Sequence, residues 1–176
     1  MDKTKRSQYQ IELLSLPEGN HCYHYDIDGD FFAGMESDDV HSGDLTAEVE
    51  VIKSKTSIEV RFEIKGVAVV SCDRCLGMIS MPVDVEDSVF VRFGAEYFDD
   101  GSDTIVVSEA DGVFDLSWLM YEYIVLALPA VRMHEEGECD SEMIKLVDEY
   151  SPENQKKKNE KDEVDPRWAA LKNINN

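Results

Sequence analysis

The sequence predicts an α+β fold: an antiparallel β-meander, strongly twisted or barrel-like, with two short helices in the C-terminal half and a flexible tail. Three observations lead to this prediction. Apolar and polar residues alternate through most of the first hundred positions, which is typical of half-buried strands. Behind them, two segments carry apolar residues at helical spacing. Because no helical pattern separates the strands, an antiparallel sheet is favoured over βαβ units.

The clearest strand patterns lie between positions 45 and 64. Residues 45–51 and 58–64 each place apolar side chains at every second position, and the polar link 53–56 joins them. Because this link is short, we expect the two strands to form a hairpin. Shorter strands are predicted at 23–27, 67–70, 81–85, 89–93 and 105–107.

Two helices are predicted after the strands. Asp115 is a suitable N-cap for a first helix, whose apolar face continues until Pro129 ends it. A second helix is predicted behind Asp140, with apolar residues at helical spacing up to the Ser151-Pro152 boundary.

The C-terminal segment differs in composition from the rest of the chain. Residues 152–165 are almost entirely polar and charged, which predicts a disordered linker. We therefore expect one acidic β-rich domain over 1–150, followed over 151–176 by the linker and a short motif containing Trp168. An indole beyond a charged tether favours a helix that binds a partner, although docking of Trp168 onto its own domain is the alternative.

The chain is strongly acidic, with a formal net charge of −21. Residues 1–150 carry −22 and residues 151–176 carry +1. An acidic body repels phosphate groups, so direct binding of naked RNA is doubtful. Attraction to basic proteins, such as ribosomal proteins, is physically easier. The alternative is that the charge serves only solubility.

The sequence also predicts a compartment. The first residues contain no apolar signal segment, and no stretch approaches the ~20 apolar residues that a membrane span needs. We therefore expect a cytoplasmic protein without membrane contact, in which thiols stay reduced.

The cysteines form the strongest local motif. Cys72 and Cys75 lie three residues apart on a predicted tight turn between strands, which is half of a zinc knuckle. With His134 and Cys139 they would make a closed Cys₃His set for one structural zinc ion. Incidental or buried thiols are the alternative, and Cys22 is a second candidate for the fourth ligand. A redox pair is disfavoured, because such pairs usually lie where a helix begins.

Motifs of catalysis are missing from the sequence. It contains no nucleophile elbow, P-loop, dinucleotide fingerprint or H-E-x-x-H motif. Carboxylates are abundant, but their positions mark no pair for acid–base chemistry. We therefore expect a protein that is not an enzyme.

Four motifs follow one another between positions 72 and 172. They are Cys72-Asp73-Arg74-Cys75-Leu76, the helix start Asp115-Leu116, the run 124–131 leading to His134 and Cys139, and the terminal stretch 165–172. In this order they resemble the YceD family, the large ribosomal RNA subunit accumulation proteins of bacteria and plastids, once described as a domain of unknown function. The chain departs from the family at Arg132 and Met133, where relatives often carry a second proline before the histidine.

The resemblance implies a role in the synthesis, processing or stability of 23S ribosomal RNA. It also favours the zinc set, because the family pattern includes both cysteine-containing halves. We expect a ribosome-biogenesis factor that binds large-subunit ribosomal proteins or a pre-ribosomal particle, with a partner-binding motif in the tail. An rRNA-processing or modifying enzyme is the alternative, as is a zinc-stabilised module of unrelated role. The expected partner-binding residues are Arg167, Trp168, Leu171 and Lys172.

Overall fold

The computed structural model describes residues 7–35, 39–99 and 101–151, and the chain divides into two compact units, 1–134 and 135–176. Within the described ranges, no helix has both the length and the apolar content to cross a membrane. A 3₁₀ turn at Ser7–Tyr9 comes first. The strands and helices are β1 (Gln10–Glu12), β2 (Gly19–Ile27), α1 (Gly29–Met35), β3 (Ser42–Lys53), β4 (Ile58–Ser71), β5 (Met78–Gly94), β6 (Thr104–Ser108), β7 (Val113–Asp115), α2 (Ser117–Ala127) and α3 (Ser141–Tyr150).

The main sheet has the strand order β2-β3-β4-β5-β6, and the predicted α+β class is confirmed. Strands β2 to β5 form the expected antiparallel meander, whereas β6 runs parallel to β5. The barrel-like alternative is wrong, because the sheet stays open with β2 and β6 as its edges. Helix α1 packs against β3, and α2 packs against β4 and β5. The apolar face is thus buried by helices without the sheet closing on itself.

The two central strands are longer than predicted. Strand β4 is continuous through Gly66, although the sequence predicts separate strands at 58–64 and 67–70. Strand β5 is likewise continuous through Asp87, which lies opposite Phe62 in the register. A glycine and an aspartate interrupt the apolar alternation at positions where it calls for an apolar side chain, so each long strand has the pattern of two short ones.

The two predicted helices are present with small changes at their starts. Helix α2 begins at Ser117, and Asp115 lies in β7, where its Oδ1 accepts the Ser117 N–H at 2.9 Å. Before α3, the Asp140 side chain accepts the N–H groups of Glu142 at 3.0 Å and Met143 at 2.8 Å. Asp140 is therefore the N-cap of α3, and the helix begins directly behind it, where the sequence predicts a helix.

Helix α1 was not predicted. The Asp28 side chain accepts the N–H groups of Asp30 at 2.9 Å and Phe31 at 3.2 Å, so it caps the helix start. Phe31 and Phe32 are both buried and anchor α1 to the core. A helix of seven residues is too short for its periodicity to stand out in the sequence.

The core lies on the face of the sheet that α2 covers. The rings of Phe62 on β4 and Tyr123 on α2 meet edge to face, with centroids 5.3 Å apart. Met120 and Ile124 of α2 are fully buried in the same cluster. The opposite face of β4 carries Glu59, Arg61, Glu63 and Lys65.

A glycine is required at position 66, where β4 lies unusually close to the backbone of its antiparallel neighbour β3. Its φ is +147°, and a Cβ atom there would lie 2.3 Å from the Asp44 carbonyl oxygen and 2.6 Å from the Leu45 Cα. These neighbours are backbone atoms, which cannot rotate away. Gly19 has a similar φ of +135°, but a Cβ atom there would meet nothing within 4 Å.

We expect Gly66→Ala to lower the free energy of unfolding by about 3 kcal/mol, from about 1 kcal/mol of backbone strain and about 2 kcal/mol of crowding. Gly19→Ala is the matched control, because an alanine there should introduce the backbone strain without the crowding. Urea unfolding of both variants measures the difference. Equal losses in the two variants would show that the contact with β3 is unimportant.

Candidate metal centre

The turn between β4 and β5 holds the first two candidate ligands. The Cys72 N–H donates to the Gly77 carbonyl at 2.8 Å, and the Leu76 N–H donates to the Cys72 carbonyl at 2.9 Å. Leu76 adopts a left-handed φ of +59° to close this turn. Cys72 is fully buried and Cys75 is 3 % exposed. The turn thus directs both thiols inward, as the sequence predicts for a knuckle.

Asp73 joins this turn to the segment that follows α2. Its N–H donates to the Arg132 carbonyl at 2.7 Å, and its Oδ2 accepts the Arg132 N–H at 2.6 Å. The Arg132 guanidinium also lies 3.7 Å from Asp73 Oδ1. A proline at position 132 has no N–H and could not donate to Asp73. These bonds hold His134 beside the two cysteines.

The structure brings the four predicted ligands together. The candidate ligand atoms of Cys72, Cys75, His134 and Cys139 all lie within 4.8 Å of one another. Cys75 Sγ and His134 Nδ1 are 3.5 Å apart. Tetrahedral zinc with Zn–S bonds of ~2.3 Å places its sulfur ligands about 3.8 Å apart, so the set fits zinc after a small contraction. Cys22 is exposed and lies outside the cluster, so it is not the fourth ligand.

The orientation of His134 suits a metal ligand. Its Nε2 lies 3.1 Å from the Met78 carbonyl oxygen. Because a carbonyl only accepts hydrogen bonds, Nε2 is the nitrogen that carries the proton. Nδ1 then directs its lone pair toward Cys75 Sγ at 3.5 Å, which is the side on which a metal ion would lie. A backbone carbonyl that fixes the histidine ring is a common feature of zinc sites.

The pKa values of the cluster favour a thiolate. Burial acts to raise the pKa of Cys72, but backbone N–H groups, above all those of Cys75 and His134, outweigh it, and the pKa falls to about 6. The hydrogen bond to Cys72, followed by that to the Met78 carbonyl, raises the pKa of His134. Metals bind cysteine as the thiolate, so the backbone here prepares Cys72 for coordination.

A closed set of three thiols and one imidazole has a limited chemistry. Four protein ligands fill a tetrahedral zinc ion and leave no position for water or substrate. Such an ion stabilises the fold and does not activate a reactant. The geometry therefore supports a structural centre.

A known protein family matches the part of the chain that contains both ligand pairs of this centre. Residues 60–175 match the family model described as "Large ribosomal RNA subunit accumulation protein YceD". The chain belongs to the YceD family. The matched range takes in almost all of β4, all of β5, helices α2 and α3 and all four candidate ligands, while β1 to β3 precede it. No curated protein and no solved structure matches the chain.

Membership of the YceD family confirms the resemblance seen in the sequence motifs, and the family's name implies a role in accumulation of large-subunit ribosomal RNA. The proposed tail residues Arg167, Trp168, Leu171 and Lys172 lie outside the described ranges.

Sequence reasoning missed the residues that support the ligands. Asp73 stands inside the C-x-x-C motif, and its partner Arg132 is 59 positions away. The Met78 carbonyl belongs to the backbone and leaves no mark in the sequence. The position of Asp73 between the two cysteines was the available sign of a supporting role. Its partner, Arg132, is identified only by the fold.

We expect purified full-length protein to contain about one zinc ion per chain, because the ligand set is complete and largely buried. Cys72→Ser should abolish zinc retention and lower the melting temperature, since metal binding of this kind is coupled to folding. Plasma mass spectrometry and thermal melts with and without a chelator measure both effects.

Cys22→Ser is the matched control, because it changes the same residue type at an exposed position outside the cluster. It should leave zinc content and melting temperature unchanged. Metal-free protein with a melting temperature that chelators do not alter would contradict a structural zinc ion.

Proposed function

We propose that this YceD-family chain is a non-enzymatic ribosome-biogenesis factor that supports the synthesis, processing or stability of 23S ribosomal RNA. In this proposal it acts in the cytoplasm and binds basic large-subunit ribosomal proteins, free or in a pre-ribosomal particle. The family description supports the link to large-subunit RNA. The surface charge of the sheet supports the kind of partner.

One row of side chains across the sheet carries this argument. Glu48 on β3 lies opposite Glu63 on β4, and Glu63 lies opposite Glu86 on β5. Like charges directly opposite each other destabilise a sheet. Lys65 contacts Glu63 at 2.5 Å and so compensates only part of the row. A row of like charges that lowers the stability of the sheet is expected where it serves to bind a partner. A basic partner would relieve the repulsion between the glutamates.

The same charges argue against naked RNA as the direct partner. Phosphate contacts require lysine and arginine side chains, and each supplies affinity that falls with salt. Residues 1–150 together carry a net charge of −22. RNA would therefore meet repulsion from the domain, whereas the tail offers Lys156, Lys157 and Lys158.

The tail is proposed as a second contact with the partner. Pro166 suits a first helical position, and a helix beginning there would place Trp168, Leu171 and Ile174 on one face. Arg167 and Lys172 flank this face. A tethered segment of this kind can fold onto a partner, with the indole as its anchor.

We expect full-length protein to capture large-subunit ribosomal proteins, and this capture should survive ribonuclease treatment and weaken with added salt. Naked 23S RNA should bind weakly at physiological salt. Affinity capture with quantitative mass spectrometry and filter binding measure the two. Neutralising Lys156, Lys157 and Lys158 should remove most of the residual RNA affinity. Tight RNA binding that persists after this change would contradict the proposal and favour an RNA-directed enzyme.

Trp168→Ala should leave the melting temperature nearly unchanged while weakening capture of the ribosomal partner. Trp168→Phe is the control, because it keeps an aromatic anchor and should retain most of the capture. Differential scanning calorimetry and the capture assay separate the two effects. A loss of ~2 kcal/mol or more in the isolated protein would show that the indole is buried in its own domain.

A further inference from the structure

A groove lies beside α2. Trp118 and Glu122, one helical turn apart on α2, form one wall. Tyr97 and Asp99, from the segment between β5 and β6, also line it. The groove has a volume of about 560 Å³. Trp118 is 56 % exposed and Tyr97 is 59 % exposed, so both rings are accessible.

The groove continues along α2 into a second depression. Asp99 and Glu122 line both, so the two form one strip. The second part adds the carboxylates of Asp87 and Asp103 and ends at Leu126, which is 73 % exposed. Trp118, Glu122 and Leu126 follow at helical spacing, so aromatic, acidic and aliphatic side chains succeed one another along one face.

The charge of this strip is entirely negative. Its lining includes the carboxylates of Asp87, Asp99, Asp103, Asp115 and Glu122, and no lysine, arginine or histidine. Within the described part of the chain, none of these carboxylates forms a salt bridge. Partial burial, and then the charges of Asp99, Asp115 and Glu122, raise the pKa of Tyr97. The charges of three of these carboxylates therefore act together on the Tyr97 hydroxyl.

This combination of side chains selects for cations. The faces of indole and phenol rings attract ammonium and guanidinium groups, and Arg is the more frequent partner. A guanidinium can stack on a ring and donate to a carboxylate at the same time. An apolar or acidic ligand would instead leave the carboxylates desolvated and unpaired, which is costly.

We propose that this groove binds an arginine- and lysine-rich segment of a partner protein. A guanidinium stacks on Trp118, Glu122 and Asp99 accept its hydrogen bonds, and Leu126 covers the aliphatic stem of the next basic side chain. The inference rests on the proposed function, because it gives the basic ribosomal partner a defined contact site. It extends that function by naming the residues that contact the basic side chains of the partner.

The test uses the full chain carrying Trp168→Phe, which leaves Trp118 as the remaining indole of the two. The probes are a synthetic peptide rich in arginine and lysine, and the same peptide with glutamine at those positions. Trp118 emission should change saturably with the basic peptide and stay constant with the glutamine peptide.

Charge reversal locates the site. Glu122→Lys should weaken binding of the basic peptide about tenfold, because it places a cation inside the groove. Asp44→Lys makes the same change in net charge at an exposed position on β3 and should weaken binding less than about twofold. Calorimetric titration measures both. Trp118→Ala should also weaken binding, and thermal melts confirm that each variant is folded.

Equal weakening by Glu122→Lys and Asp44→Lys would overturn the groove, because it would show attraction by net charge alone. Dimerisation that Glu122→Lys abolishes, without peptide binding, would overturn it in favour of a second copy of this chain. Capture of ribosomal proteins separates the two proposals. If the Glu122→Lys variant captures ribosomal proteins normally and the wild-type protein does not bind the peptide, the proposed function is supported and the proposed groove site is refuted. If the wild-type protein captures no ribosomal protein but binds the peptide through Glu122, the groove site is supported and the proposed function is refuted.

Discussion

The long antiparallel pairing of β4 with β5 is the interaction on which the rest of the molecule depends. Its register runs from Ile58 opposite Val91 to Ser71 opposite Met78. One face of this ribbon supplies the apolar surface that α2 covers. The other face carries part of the glutamate row, and the turn that closes it holds both cysteines of the C-x-x-C motif. The core, the acidic surface and two of the four candidate metal ligands therefore depend on one local pairing.

Much of the strand content could be predicted because alternation is a local property. The hairpin of residues 45–64 and the start of α3 behind Asp140 follow from short-range patterns. The open sheet could not be predicted, because whether helices cover an apolar face or the face closes on itself depends on distant residues. The continuity of β4 and β5 was hidden for a related reason. Gly66 and Asp87 interrupt the alternation, and only their cross-strand neighbours, Leu45 and Phe62, show that the strands continue through them.

The candidate metal centre was predictable in its ligands but not in its supports. Cysteine and histidine indicate metal binding by type and spacing, whereas the role of Asp73 is decided by Arg132 across the fold. The groove beside α2 was hidden differently. The helical spacing predicts the buried face of α2, including Met120, but it does not show that the exposed Trp118 and Leu126 border a groove formed with residues 97–99 and 101–103.

The separation of 59 positions between Cys75 and His134 also orders events during synthesis of the chain. At ~5–20 residues per second, a ribosome needs about 3–12 s to add the residues between them. Strands β4 and β5 are adjacent in sequence, so their pairing closes a short loop and can form during this interval. The nascent chain then presents two thiols on a finished turn before the imidazole exists. During those seconds the half-built site is open to oxidants and to competing metals, so metal supply and redox state at the ribosome bear on its yield.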